Sequence, residues 1–559
     1  MYTVKHHAYS LEIDGAQVRV ILDGCAVATL DMRSAVHQTS EAYERIADEE
    51  PELPVLVRAE GDTFIWKGKS SLWEEKTYTL TCTPRRFLYR VTVKGKGRVD
   101  GVEYFSANGK GSGYEFSEGL NPCRAYPMDG YYCFPVSKDF HREPALMVPP
   151  MFCYVFRTEK LGKLLSLGLA AEPGEHNFHA FDYHCVSDGP YTSAFYLSTD
   201  QDGHTAVDGT WTAPHILGYG AEDKFEALRE YADYYFSSGL AKAKPAAVPP
   251  KFWHGPMACG WIEQYANHLK TGVDSIDMAR QDLYESYVER LHAAGLYPRV
   301  LIIDDKWQKY YATQEADTEK WPDLRGFADR MRGMGIHTLL WFRVFDSDGY
   351  DAPELCVDTE SYTGYNPLID PSHPHYLALL DRALHRIISA DEGCYNCDGI
   401  KIDYAFLNPK SRKFRTYSGK YGTELLYDMM KHIYETIKAI KPEAIVNCSP
   451  CHPYFAHLCD QGRLHDYQYQ QRDCAEDLEM RAKMFRAAMP DTLLDCDNAG
   501  FQTRRDTMRW MLKQPLTGVP DLYCLSPLPN FGFSEADLEE LAAVWREYTA
   551  RIDARYPEV

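Results

Sequence analysis

The chain has 559 residues, a formal net charge of −21 at pH 7, 45% hydrophobic and 25% charged residues. That length exceeds one compact core and implies roughly two to four domains. The acidic balance argues against nucleic acid or an anionic membrane as a partner, and no apolar run reaches the roughly eighteen residues of a membrane span.

The first residues, Met1 to Gln17, hold no basic segment followed by an apolar run, so a cytoplasmic protein is expected. Its 16 cysteines are then expected to be buried thiols rather than disulfides. From residue 1 to about 220, short runs alternate apolar and polar residues. Tyr78–Cys82, Phe87–Val93 and Leu164–Leu169 are examples. The turn signals Asp14-Gly15, Asn108-Gly109, Asp129-Gly130 and Asp202-Gly203 lie among them. Period two with frequent turns predicts antiparallel strands stacked as a β-sandwich. A helix is expected from Glu222 to about Ser237, and the Ala-, Lys- and Pro-rich stretch Ala241–Pro250 reads as a linker.

Beyond residue 250, apolar runs alternate with helical segments. Eight strands are expected: Pro256–Trp261, Arg299–Asp305, His337–Arg343, Gly399–Tyr404, Ala444–Ser449, Arg463–Tyr467, Thr492–Asp497 and Asp521–Ser526. Gly422–Ile440 is expected to be helical, with Leu426, Met429, Ile433, Ile437 and Ile440 on one face. Ser534 and Asp537 resemble a capping box opening a final helix. The connection after the fifth strand is short, so that unit is expected to be irregular. Eight such units indicate a (β/α)₈ TIM barrel, and no Gly-x-Gly-x-x-Gly follows the first strand to suggest dinucleotide binding. The fold class is therefore multidomain β plus α/β: a sandwich over 1–220, a helical linker over 221–250 and a barrel over 251–559.

In this fold the functional residues sit at the C-terminal strand ends. Those ends deliver Gly260-Trp261, Asp304-Asp305-Lys306-Trp307, Trp341-Phe342-Arg343, Lys401-Ile402-Asp403-Tyr404, Asn447-Cys448-Ser449, Arg463 to Asp466, and Asp495 to Asn498. A lone Asp at such a place is often only a helix cap, but a whole ring of polar and aromatic ends is harder to explain that way. Carboxylates and lysine suit sugar hydroxyls, tryptophan suits the apolar face of a pyranose, and two opposed carboxylates suit glycosidic cleavage. In a strand, residues two apart share a side, so Lys401 and Asp403 should both enter the mouth, where a buried lysine would keep the carboxylate ionised.

Two other patterns carry less. Cys394/Cys397 and Cys448/Cys451 have zinc-like spacing, but the first pair precedes the fourth strand and the second follows the fifth, roughly 20 Å apart. His373-x-His375 surrounds Pro374 and reads as a helix start. No metal and no organic cofactor is expected.

These motifs resemble glycoside hydrolase family 36 and its relatives, families 27 and 31, a clan of retaining α-galactosidases and α-glucosidases. Ile302 to Gln308 resembles the Asp-Asp-Gly-Trp-Gln motif, with Lys306 where that motif has glycine. Trp321–Phe327 and Gly335–Phe342 resemble the segment that follows, and Gly399–Asp403 resembles the nucleophile strand. The resemblance implies that Asp403 attacks and Lys401 binds a hydroxyl. Arg463-x-x-Asp466 is similar to the acid/base motif, which implies Asp466 as acid/base and Arg463 as a substrate contact. Cys259-Gly260-Trp261 is similar to the first strand of the raffinose synthase branch. The strand-five end Asn447–Cys451 lacks the glycine-rich run of many α-galactosidases.

The expected activity is an exo-acting α-glycoside hydrolase, α-galactosidase-like, working by double displacement with Asp403 and Asp466. Their carboxyl groups should then lie about 5–6 Å apart. Asp304, Asp305 and Lys401 would hold hydroxyls, Trp341 and Trp261 would form a wall, and Arg463 would contact the sugar. Three alternatives stay open: a transglycosylase of the raffinose-synthase type, an α-glucosidase-like enzyme, or a silent sugar-binding barrel. The expected partner is a small carbohydrate or glycoside; self-association is left open.

Overall fold

The structure, a computed structural model, describes all residues except 107–111, 115–123, 129–135, 137–138, 142–151, 158–161, 176–180, 187–193, 359–365, 410, 465–473, 498–502 and 557–559. The N-terminal part is antiparallel and sandwich-like, and an eight-stranded, nearly closed parallel barrel follows it.

The spine of the sandwich is the pairing of Phe87–Tyr104 with Ala194–Thr212. Phe87, Tyr89, Val91 and Val93 are buried while the residues between them are half-exposed or exposed, which is the alternation the sequence predicts. Leu11, Val20, Trp66, Leu80, Leu167 and Phe195 fill the same interior.

Asp14-Gly15 turns between Ser10–Asp14 and Gln17–Leu22 as expected. Asp202-Gly203 does not separate two strands. Both residues have positive φ, 50° and 74°, and they sit inside one long strand whose register jumps from Asp200 opposite Gly101 to Thr205 opposite Val99. The extra residues bulge out, and a bulge re-aims side chains. Here they meet the barrel: Asp202 pairs with Arg412 at 3.0 Å, and His204 bonds the Ser411 carbonyl at 3.1 Å. On the facing strand the displaced Asp100 is fully buried and also pairs with Arg412, at 2.6 Å. The sandwich therefore grips the loop that follows the barrel strand Gly399–Asp403. The turn signals at Asn108-Gly109 and Asp129-Gly130 lie outside the described residues.

The expected helix runs Lys224–Ser238, capped by Asp223 and ended by left-handed Gly239. Tyr231 and Tyr235 on its buried face donate to the Leu169 carbonyl, and Tyr231 also meets His452 of the barrel at 3.2 Å.

Barrel strands 1 to 8 are Met257–Cys259, Val300–Ile303, His337–Arg343, Gly399–Asp403, Ile445–Cys448, Gln461–Arg463, Leu493–Asp495 and Asp521–Leu522. They pair in the order 7-6-5-4-3-2-1-8, and a parallel bridge between Asp495 and Val519 links strand 7 to the residues just before strand 8. Strand 1 is shorter than expected, because Gly260 caps a helix and Trp261 opens it. Strand 6 begins two residues earlier than expected, at Gln461. The short connection after strand 5 is a 3₁₀ segment, Pro453–Leu458, in place of an α-helix. Gly422–Ile440 is helical as predicted, and Ser534 forms its capping box with Asp537. The helix start near Pro374 is capped by His373 itself. Among the described residues the cysteines are free thiols, and no helix is long and apolar enough to cross a membrane.

Strand 4 begins on Gly399, where φ is 155° and an added Cβ would stand 2.3 Å from the Ile445 carbonyl oxygen of strand 5. Neither backbone can give way without breaking the ladder. Gly399→Ala is expected to cost roughly 1–3 kcal/mol, read as a lower thermal midpoint by calorimetry.

Candidate active site

Strands 1, 2, 4 and 8 converge on one buried cluster. Asp304 follows strand 2, and its Oδ2 accepts from Lys401 Nζ at 2.7 Å and from Cys259 Sγ at 3.0 Å. Lys401 also donates to the Tyr523 hydroxyl at 3.3 Å. The Tyr284 hydroxyl accepts the Asp304 backbone N–H, and Asp304 Oδ1 accepts that of Asp305. Burial opposes the charge on Lys401, but Asp304 beside it more than compensates and holds the ammonium well above its ordinary pKa.

One layer higher, strand 4 presents Asp403. Its side chain retains 17% exposure, against 3% for Lys401. Asp403 Oδ2 accepts from Trp341 Nε1 at 3.0 Å, and Oδ1 accepts from the Tyr404 backbone N–H at 2.8 Å. A cation against it is Arg463, at 3.4 Å. Arg463 is itself buried and donates through Nε to Asp497 at 2.7 Å and through NH1 to the Ile402 carbonyl at 3.3 Å.

The expected Lys401–Asp403 neighbourhood is thus replaced by two separate pairs. Residues two apart on a strand share a side but differ in height by about 6.6 Å. The lysine stem spans the lower layer to Asp304 after strand 2, and Arg463 of strand 6 serves the upper one.

Asp305 lies beside this pair of layers. Burial first, and the Asp304 charge second, push its carboxyl up to about 7. The Tyr311 hydroxyl donates to its Oδ1 at 3.0 Å. Tyr311 and Tyr404 each pack on Trp341, with centroids 5.8 and 5.9 Å apart. Trp261 packs instead against the cluster built on Met257, Cys259 and Tyr523. Asp466, and with it the carboxyl separation from Asp403, lies outside the described residues.

Several members of this cluster carry no motif. Tyr311 sits on the loop after strand 2. Arg343 lies in register with Asp403 on the neighbouring strand, and its guanidinium is 4.2 Å from the Tyr404 ring centroid. Tyr404 itself has φ 58°. Arg343 and Tyr404 stand at strand ends in the sequence, and the fold brings them together in one wall. Among the described residues no group of three or more His, Cys, Asp or Glu is arranged to hold a metal ion.

No protein-family model matches this chain, and no curated protein does. Solved structures do resemble it. A GH31 family sulfoquinovosidase from E. rectale, in complex with an aza-sugar inhibitor, is 12% identical; the match covers 96% of this chain and 82% of that one, with a TM-score of 0.62. A cycloalternan-forming enzyme from Listeria monocytogenes, in complex with a pentasaccharide substrate, is 12% identical over 96% of this chain and 57% of that one, with a TM-score of 0.57. A GH36 alpha-galactosidase from Geobacillus stearothermophilus is 9% identical over 99% and 86%, with a TM-score of 0.54. At such identities the likeness establishes the architecture, a sandwich followed by a barrel, which this chain shares with GH31 and GH36 glycoside hydrolases.

Proposed function

We propose that this chain is a retaining, exo-acting α-glycoside hydrolase, α-galactosidase-like, with Asp403 as nucleophile and Asp466 as acid/base. The observation that carries the reading is Asp403 itself. It is an accessible carboxylate at a barrel strand end, with Trp341 and a backbone N–H on its two oxygens and Arg463 close by. Donors of this kind favour the ionised form and fix its direction, as attack on a sugar carbon requires.

In the first step Asp403 bonds to the anomeric carbon while the glycosidic C–O bond breaks, and the leaving oxygen takes a proton from Asp466. In the second, Asp466 takes a proton from water, which displaces Asp403 and frees the sugar. Asp304, Asp305 and Lys401 are assigned to sugar hydroxyls, Trp341 to the wall beside Asp403, and Trp261 to a separate wall on the strand-1 side. Arg463 is buried against Asp403 and Asp497, so it acts on the sugar mainly through Asp403. The polar cluster and the carbohydrate ligands named for the structural neighbours support a glycoside as the partner.

The test is Asp403→Gly on para-nitrophenyl α-galactoside, with and without azide. Turnover is expected to fall by roughly 10³-fold or more. Azide should restore part of it, with a β-glycosyl azide as product. An unchanged turnover in the variant would remove Asp403 from the nucleophile role.

A second reading, transfer of the sugar to an acceptor hydroxyl as in raffinose synthases, uses the same residues. It is favoured by the neighbour named for forming cycloalternan. Product analysis at high acceptor concentration separates the two.

A further inference from the structure

Four aromatic and cationic side chains stack beside Asp403 in alternation. Arg343 lies 4.2 Å from the Tyr404 ring centroid and 4.5 Å from that of Tyr311. Lys306 Nζ caps the stack, 3.9 Å from the Tyr311 centroid. Tyr311 in turn donates to Asp305, and Arg343 is the register neighbour of Asp403. The stack therefore borders both carboxylates.

Its end residue is held at a cost. Lys306 has φ 70°, in the left-handed region, as have Phe345 and Tyr404 just beyond strands 3 and 4. A side chain there costs about 1 kcal/mol or more relative to glycine, and such strain persists where surrounding structure enforces it. A glycine would make this turn without strain, but it would supply no ammonium.

The charges of the stack are matched. Lys306 pairs with Asp348 at 2.9 Å, and Arg343 with Asp346 at 2.8 Å. The wall thus offers N–H donors without surplus positive charge. An ammonium has three donors; Asp348 takes one, the Tyr311 ring face a second, and the third is left for a ligand. The Lys306 side chain keeps 20% exposure, so it borders solvent.

We propose that Lys306 is a specificity-determining residue, whose ammonium donates a hydrogen bond to an uncharged hydroxyl oxygen of the bound glycoside on the Asp305 side of the cleft. This rests on the glycosidase reading and adds to it a contact and a charge preference.

The experiment compares the wild type, Lys306→Gly, Lys306→Met and Asp348→Asn on para-nitrophenyl α-D-galactoside, α-D-glucoside and α-D-glucuronide, with thermal midpoints for each. On the better neutral substrate, both Lys306 variants should raise KM about tenfold, with kcat within about threefold. Lys306→Gly should also raise the midpoint, because it relieves the turn, while Lys306→Met should not. Asp348→Asn should leave KM nearly unchanged, since the ammonium keeps its donors. Unchanged KM in both Lys306 variants would overturn the proposal. So would an equal KM effect in Asp348→Asn, which would mark loosening of the loop instead. A wild type that prefers the glucuronide and loses that preference in Lys306→Met would overturn it too. If the wild type turns over none of the three, the glycosidase reading fails on its own account. Calorimetric titration with D-galactose and D-glucose then decides for Lys306: weaker binding in Lys306→Met supports the contact, and equal or absent binding overturns it.

Discussion

Arg463→Met is expected to destabilise the protein by about 3–5 kcal/mol, because it removes one partner of a buried ion pair and leaves carboxylates uncompensated. Arg463 is fully buried and bridges Asp403 and Asp497, which is fully buried too. Methionine fills much of the volume but donates nothing to Asp497 or to the Ile402 carbonyl. Lysine at this position keeps the charge but cannot reproduce a planar fork with several fixed donors. Activity should fall with it. Under the proposed mechanism the nucleophile loses the cation that favours its ionised form, and kcat on an aryl α-glycoside should drop by roughly 10²–10³-fold, the range seen when one charge-stabilising donor is removed. Measuring kcat well below the variant's midpoint separates this loss from unfolding. The double variant Arg463→Met/Asp497→Asn should be less destabilised than the sum of the singles, since a neutral amide in place of the Asp497 carboxylate no longer needs the charge. Additive single effects in denaturant unfolding would mean that Arg463 and Asp497 do not act as a pair.

The eight barrel strands are legible because most are short apolar runs set between helical periods. Val300–Ile303 is buried at every position. Strand 6 reads two residues late from the sequence because Gln461-Gly462 looks like surface. Gln461 is in fact fully buried, with its amide spent on the Trp253 carbonyl and its carbonyl on Asn447. Hydrophobic pattern cannot find a polar residue whose hydrogen bonds are satisfied inside. Trp261 reads as a strand end because nothing in Cys-Gly-Trp marks Gly260 as a cap. In the candidate site, side alternation correctly sends Lys401 and Asp403 inward, but it carries no information on layer height. The partners, Asp304 for one and Arg463 for the other, depend on how far each side chain reaches across the barrel. Lys306 stands out only as a departure from a motif; its left-handed φ and its place over Tyr311 come from a loop with no period to read.

The seam between strands 7 and 8 should make stability fall with rising pH. Asp521 is fully buried, and its carboxyl meets that of the fully buried Asp495, so that a proton on one bridges the two. Asp495 and Asp497 face Asp521 with like charge, and Lys401 is the cation that acts on it. That lysine is already committed to Asp304. Burial first, and the neighbouring carboxylates second, hold the Asp521 carboxyl well above the ordinary carboxylate range. Above the unfolded value of about 3.9, the unfolded chain releases this proton while the native protein keeps it, so the native state binds more protons. Stability then declines with pH by at most about 1.4 kcal/mol per unit until the folded value is reached. Asp521→Asn stays neutral in both states and removes the Asp521 share of that slope, while Asp495, which burial pushes up to about 6, keeps its own. Between pH 5 and pH 8 its unfolding midpoint should fall less than the wild type's, with the larger gain at pH 8. Parallel midpoint curves for the two proteins would show that the Asp495–Asp521 pair takes up no extra proton through Asp521 in the native barrel.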